Sequence, residues 1–494
     1  MRSDGKFFEF SEPSSGNVLI ASADVPDTLT KLVSGSTIIG WQYKVAVDDS
    51  MESYDADGNP TSVTQRNGQI TTLTYSTSST NVSIAPRPGL LITVTDHFGR
   101  MLQLIYDSSA QITHVTDSGG NQFKFYYNES TSTVLSGQPL GNNLTAIEFP
   151  GIRKRIFHYN EQANTASTNL PNALTGITDE NGNRYATYQY DTLGRAISSE
   201  HAGGVEHYAV AYNGDGTSAV TDPLSSTRTN GYQVVQRVAQ STAISGPACP
   251  TCGPAARSFD TNGFQASVTD WNGNVTTYLR QDPNGRLDLE TSRTEASGSP
   301  VARTITTQWH ATLRLPTLIS EPGRTTAFTY DANGNMLTKT LTDTVTSAAR
   351  TWTYTYSTIG QVLSVDGPRT DVSDVTTYTY YADNDASIGK RGNANTITNA
   401  LGQVTTITSY DNNGRPLTLQ DPNGLVTTLT YAPRGWLTSR DVGGETTLYD
   451  YDFAGQLTKV TLPDSSYLQY TNDPAHRLTQ VQDNLGNKIV YTLD

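Results

Sequence analysis

The chain is poor in charge, in cysteine and in long apolar runs, and each shortage excludes something. Charged residues make up 16% and hydrophobic residues 35% of its 494 residues. So few charges do not suit a disordered chain, and so few aliphatic side chains do not suit a compact doubly wound core. The net charge is −14, so the broad basic footprint of a nucleic-acid-binding surface is missing. No apolar run approaches the about 20 residues of a membrane span. Met1 to Lys6 lead into Phe7-Phe8-Glu9-Phe10, too short and too charged for a signal-peptide core. Sustained helical periodicity is also absent. Thr, Ser, Asn, 41 Gly and 27 Tyr fill the deficit, a composition that suits an extended sheet with one modestly apolar face.

What is present is a returning pattern, Tyr-Asp-x-x-Gly. It stands at Tyr54-Asp55 with Gly58, Tyr190-Asp191 with Gly194 and Arg195, and Tyr330-Asp331 with Gly334. It returns at Tyr410-Asp411 with Gly414 and Arg415, and at Tyr451-Asp452 with Gly455. Tyr410, Tyr431, Tyr451, Tyr470 and Tyr491 follow one another at steps of 21, 20, 19 and 21 residues. A fixed period of this length predicts a stacked array, which works as a surface, wall or container more often than as one catalytic pocket. Within a unit, Asp411 to Gly414 is a turn, since Asp and Asn tolerate left-handed geometry and Gly accepts positive φ. Leu417 and Leu419 alternate with Thr418 and Gln420, the period of a half-buried strand. Asp421-Pro422-Asn423-Gly424 is a second turn. Leu425, Thr427, Leu429 and Tyr431 then share one face, with Val426, Thr428 and Thr430 on the other. Each unit reads turn, strand, turn, strand, and the expected fold is all-β.

The residues that could carry chemistry have plain structural readings. The turn aspartates read as Asx-turn acceptors; Asp55-x-Asp57-Gly58-Asn59 begins like a calcium loop but lacks its distal Glu. Strand tyrosines read as packing, with a sugar-stacking platform as the functional alternative. Cys249-Pro250-Thr251-Cys252 lacks the strand-to-helix setting of thioredoxin-like chemistry. As a zinc knuckle it would need two more ligands, and His201 and His207 are the nearest candidates, the closer 42 residues upstream. Otherwise it is a stiff Pro/Gly loop with free thiols or a small-ring disulfide. His97, His114, His158, His201, His207, His310 and His476 fall in no recognised catalytic setting, and Ser258 to Gly263 misses a sialidase-type Asp box by one residue. No catalytic residue, cofactor site or cofactor is assigned.

Residues 1–50 read as an N-terminal β-cap or a preceding repeat, and 51–240 as repeats with insertions. Residues 241–257 read as a Pro/Gly/Cys loop excursion, and 258–494 as repeats in their cleanest register. The array stops inside a unit after Tyr491, which predicts an open sheet edge there, fast hydrogen exchange beyond Tyr470 and a chain that is a fragment of a longer array.

Tyr190 to Arg195, Tyr410 to Arg415, the Asp-Pro-Asn-Gly turns and the opening Asp4-Gly5 to Phe10 resemble the YD repeats of bacterial Rhs proteins, shared by teneurins. The resemblance implies a β-solenoid, a long twisted sheet of hairpins curving into part of a hollow shell. It implies a C-terminal toxin as cargo, which has no counterpart in this chain, and release in competition between bacterial cells. It implies synthesis in the bacterial cytoplasm without a visible signal peptide, and a secreted or cell-surface location. Type VI secretion and its apparatus proteins come with the same resemblance. The family's Asp-Pro-x-Gly cleavage site finds only Asp282-Pro283-Asn284-Gly285 and Asp421-Pro422-Asn423-Gly424, both in mid-array turn positions.

Three functions compete. The first is a non-catalytic shell segment, expected to give a curved sheet with tyrosines along one face. A β-propeller is its structural rival, but two units span 41 residues, which would require about 12 blades against the usual 4–8. The second is an adhesion module binding surface glycans through exposed tyrosines. The third is a glycoside-cleaving enzyme using two of the abundant carboxylates.

Overall fold

The computed structural model describes residues 8–21, 25–127, 142–151, 153–236 and 238–493. The opening residues Asp4 and Gly5, and Asp494, lie outside them. Among the described residues there is no α-helix, and the regular structure is β apart from three single 3-10 turns. Phe10–Ser11 and Ile20–Ala21 form a small two-stranded sheet. From Thr28–Ser34 to Lys488–Val490 the strands join one antiparallel sheet in strict chain order. The sheet does not close on itself. Thr28–Ser34 pairs forward with Thr37–Lys44, and Lys488–Val490 pairs back with Leu478–Asp483. The propeller alternative, which needs separate blades, is thereby excluded.

The local cause is the unit read above. Val426–Tyr431 alternates exposed and half-buried residues, with Thr427, Leu429 and Tyr431 on the half-buried side. Ile70–Tyr75 alternates in the same way. The exposed side is tied by hydroxyl pairs across neighbouring strands: Thr329 with Thr338 at 2.7 Å, Thr340 with Thr351 at 2.9 Å and Thr379 with Thr396 at 2.7 Å. Such cross-strand pairs are the unit of sheet stability.

Among the described residues the sheet has no second layer over it. Among the described residues the buried apolar set is small and dominated by alanine and valine, and the largest fully buried side chains are threonines. A two-layer domain would bury a contiguous aliphatic core. Here the sheet instead coils, and residues 254 to 297 positions apart along the chain come into hydrogen-bond contact.

The loop between residues 241 and 257 is shorter than its sequence suggests. Val238–Ser245 is strand, paired with Thr227–Val235, and Ala256–Phe259 resumes the sheet. The irregular stretch is therefore 246–255. Gln240, Ser241 and Thr242 are as compatible with a pleated strand as with a loop, and the neighbouring strand decides the matter.

Candidate functional site: the seam between coils

The signature residues build one tip per unit. Gly58, Gly194, Gly334, Gly414 and Gly455 all have φ between 76 and 93°. In each tip the Gly N–H donates to the Asp carbonyl, and the Asp N–H donates to the residue after Gly, as in Gly414 to Asp411 and Asp411 to Arg415, both at 2.9 Å. This is a type I turn closed by a left-handed glycine. The Asp carboxylate works inside its own tip. Asp411 Oδ1 accepts from the Asn413 and Arg415 amides at 3.0 and 2.9 Å, while Arg415 Nε donates to Oδ2 at 2.6 Å. Asp191 uses Arg195 likewise, whereas Asp55 and Asp331 use Asn59 and Asn335. The Asn59 side chain and amide hold the Asp55 carboxyl below its ordinary range, and the Arg195 amide does so for Asp191. These carboxylates are Asx-turn acceptors.

The tyrosines also work inside the wall. The pairing register shifts immediately before Tyr190, Tyr330 and Tyr410, where the following strand carries an extra residue. Such a bulge re-aims the side chain. The ring lies back over the preceding strand, and its hydroxyl donates to the carbonyl of that strand's first residue. Tyr190 reaches Leu174 at 2.8 Å, Tyr330 reaches Pro316 at 2.8 Å and Tyr410 reaches Ala394 at 2.6 Å. Tyr106, Tyr159, Tyr356 and Tyr380 make the same bond outside the signature set. Trp309 replaces the tyrosine once, its indole N–H donating to Glu290 at 2.8 Å. Tyr54 departs, donating to Glu52 at 2.5 Å. Tyr451 lies 5.5 Å from the Trp436 ring. Burial raises the phenols of Tyr190, Tyr330 and Tyr410, the last to about 12, so they stay neutral donors. A half-buried ring with a committed hydroxyl is a tie between strands and a poor sugar platform.

The tips meet across the coil. Signature tips lie at one margin of the sheet and the alternate turns at the other. The late signature margin rests on the early opposite margin. Asn413, inside the Tyr410 tip, accepts from the Gly119 amide at 2.9 Å and donates to Asp117 at 2.8 Å. Asp452 accepts from Asn181 Nδ2 at 2.9 Å, and the Phe453 amide donates to Asn181 Oδ1 at 3.1 Å. Arg391 donates to the Phe98 carbonyl at 3.3 Å. A Cβ on Gly414 would come within 2.5 Å of Arg100 Nη1 of the facing coil, so glycine there serves the approach as well as the turn.

Two buried carboxylates anchor this seam. The Glu180 side chain is fully buried and accepts from Arg434 at 2.9 Å across the seam and from Arg155 at 3.3 Å within its own coil. The Arg434 guanidinium lies 4.2 Å from the centre of the Phe149 ring and 4.4 Å from that of Trp436. Asp179, 2% exposed, meets His476 Nε2 at 2.9 Å. His201 and His476 stack on Tyr185, at 4.6 and 4.3 Å between ring centres. Asp179, Glu180, Arg434 and His476 were not identified as partners from the residues alone. The one available signal was the acidic pair in a turn otherwise filled by neutral residues.

The zinc candidates are not brought together. Cys249 and Cys252 form a disulfide with each other, which removes both thiolates. His201 faces Glu206 at 3.1 Å and His207 faces Glu200 at 3.0 Å. Among the described residues no group of three or more His, Cys, Asp or Glu is placed to hold a metal. His158 meets Thr178 at 2.8 Å and His310 caps its own turn at Leu313. Asp282 and Asp421 sit in turns like their neighbours, and Asp260 accepts the Asn262 and Phe264 amides in the same way.

The family model for the teneurin YD-shell matches residues 324–492. No curated protein matches the sequence. Several solved structures align with most of the chain. The TcdB2-TccC3-Cdc42 structure is 13% identical with a TM-score of 0.47, over 93% of this chain and 26% of that one. TcdB2-TccC3 without its hypervariable C-terminal region gives 13%, 0.47, 93% and 25%. A Photorhabdus luminescens Tc holotoxin pore with a TccC3 mutation gives 12%, 0.48, 94% and 26%. The chain spans about a quarter of the length of these solved chains. No helix of the described residues is long and apolar enough to cross a membrane. Its recurring Tyr-Asp-x-x-Gly tips and the match over residues 324–492 make the chain similar to YD-repeat shell proteins.

Proposed function

We propose that this chain is a non-catalytic wall segment of a YD-repeat shell, which encloses or presents a C-terminal toxin lying outside these residues, for competition between bacterial cells. The observation that supports it most is the seam. Tip side chains are spent on joining one coil of a single-layer sheet to the next, which is the work of a wall. The histidines and turn carboxylates are taken up in structural pairs, which favours a passive role over turnover. Export to the medium or the cell surface through a secretion apparatus belongs to the same proposal. Glycan adhesion is the weaker reading, because the signature tyrosines are committed to the wall.

Electron microscopy of the purified chain tests the wall: a curved sheet around a solvent-filled lumen is expected, and a filled particle would refute it. Co-expression with a toxin segment tests the cargo. Slower proteolysis of that segment in the presence of the chain is expected, and equal proteolysis would defeat enclosure.

A further inference from the structure

The disulfide loop has no part in the seam. Cys252, exposed, ends a short 3-10 turn at Pro250–Cys252, and Cys249, half-buried, immediately precedes it. The wall grips the loop at both shoulders. Arg228 Nε donates to the Pro247 carbonyl and Trp271 Nε1 to the Gly253 carbonyl, each at 2.8 Å. Arg228 is buried and held by Asp222 at 2.6 Å. The strands on either side of the loop, Val238–Ser245 and Ala256–Phe259, share a single residue pair, Ala243 with Ala256. Every other neighbouring pair of strands in the described wall shares at least two, the next thinnest being Val362–Asp366 with Thr376–Tyr380. The thinnest join in the wall and its disulfide therefore coincide.

We propose that Cys249–Cys252 is a thiol–disulfide exchange site for a dithiol reductant, and that its redox state sets the stiffness of the wall at this join. The chemistry follows from access. Exchange begins when a thiolate reaches a disulfide sulfur, and exposed disulfides are the labile ones. A thiolate of the dithiol attacks the exposed Cys252 Sγ, forming a mixed disulfide and breaking the bond to Cys249. Cys249 Sγ leaves as a thiolate beside the Thr251 hydroxyl, 3.5 Å away, and takes a proton from water. The second thiol of the reductant then attacks the mixed disulfide at the reductant's own sulfur and releases Cys252. Two electrons and two protons pass to the protein, and the dithiol ends as a disulfide. With the ring open, residues 246–255 are held by Arg228 and Trp271, and the lone Ala243–Ala256 pair opens more often. This inference goes beyond the shell reading and does not depend on it.

The test uses the full chain and dithiothreitol under native conditions, with thiols counted by alkylation and mass spectrometry and amide exchange followed by peptide. Both cysteines are expected to become alkylated while Val426–Tyr431 keeps its protection. Amides of residues 243–257 should then exchange about tenfold faster. A Cys249→Ser/Cys252→Ser variant should show the fast exchange with or without dithiothreitol. Cys249→Ser, which keeps the exposed thiol, should form a mixed disulfide with oxidised glutathione faster than Cys252→Ser. A disulfide that survives until the whole wall loses protection overturns the exchange site. Unchanged exchange at 243–257, in both the reduced chain and the double variant, overturns the effect on stiffness.

Discussion

Replacing Arg434 by methionine should loosen the seam between coils by about 2–3 kcal/mol. Glu180 is fully buried and has two cationic partners, Arg434 at 2.9 Å and Arg155 at 3.3 Å. Taking one partner from a buried carboxylate costs about 3–5 kcal/mol, because the charge left behind has lost its compensation. Arg155 remains, more exposed and farther away, and recovers part of that. The contacts of the guanidinium with Phe149 and Trp436 add about 0.5–2 kcal/mol, of which the methionine stem keeps some by packing. A global melt is the wrong assay, because arrays unfold in parts. Native-state hydrogen exchange at the Phe453 amide, which donates across the seam to Asn181, reads the local opening. The expected change is an acceleration of about 30- to 150-fold. Adding Glu180→Gln to Arg434→Met should bring less than the sum of the two single effects. Exchange at Phe453 within about twofold of wild type in Arg434→Met would show that this pair does not hold the coils together.

Tyr410→Phe should cost about 1–2 kcal/mol, read as lost protection in Ala394–Thr398, whereas Tyr208→Phe, at an exposed position, should change little. The Tyr410 phenol, ordinarily near 10, is raised to about 12 by burial and by Tyr381, so the folded state prefers it neutral. Its contribution should be intact below pH 10 and lost as pH rises through about 12, seen as delayed tyrosinate absorbance that Tyr410→Phe removes. For Asp282, burial works to raise the carboxyl, but the bonds from Arg286 prevail and hold it at about 2. Its stabilisation should be full above pH 3.8 and lost as pH falls through about 2; circular dichroism during acid titration should show this step in wild type and not in Asp282→Asn. Gly392→Ala should destabilise the seam by about 1–3 kcal/mol, since φ is 65° and the new methyl would run into the Phe98 ring; faster exchange of the Gly392 amide reports it.

The repeat was legible because its signals are local. Asp411 to Gly414 specifies a turn whatever surrounds it, and the alternation from Val426 to Tyr431 specifies which side of the strand is covered, although Leu425, expected on that side, is exposed in the turn before it. The role of the tyrosine was half legible. Packing could be expected of it, but the bulge before Tyr410 that sends its hydroxyl to Ala394 depends on a register that no single strand encodes. The seam was not legible. Asp179 and His476 are 297 residues apart, and nothing in either turn identifies the other. The pairing of Cys249 with Cys252 stayed open because a three-residue spacing serves a disulfide and a metal knuckle equally well.

The seam constrains how such a chain can change length. Because strands alternate in direction, losing one strand would present the wrong margin to every later tip, exchanging signature turns for their opposites. Losing a whole hairpin would keep the margins but slide the later coil by one tooth against the earlier one, parting Asn413 from Asp117 and Arg434 from Glu180 together. The two coils behave as meshed racks. Insertions are harmless where they swell a tip facing away from the mesh, as residues 160–173 do between Tyr159 and Leu174 without disturbing the pairing of the strands they join. Length variation in this architecture should therefore be quantised along the wall and least constrained at its unmeshed rims.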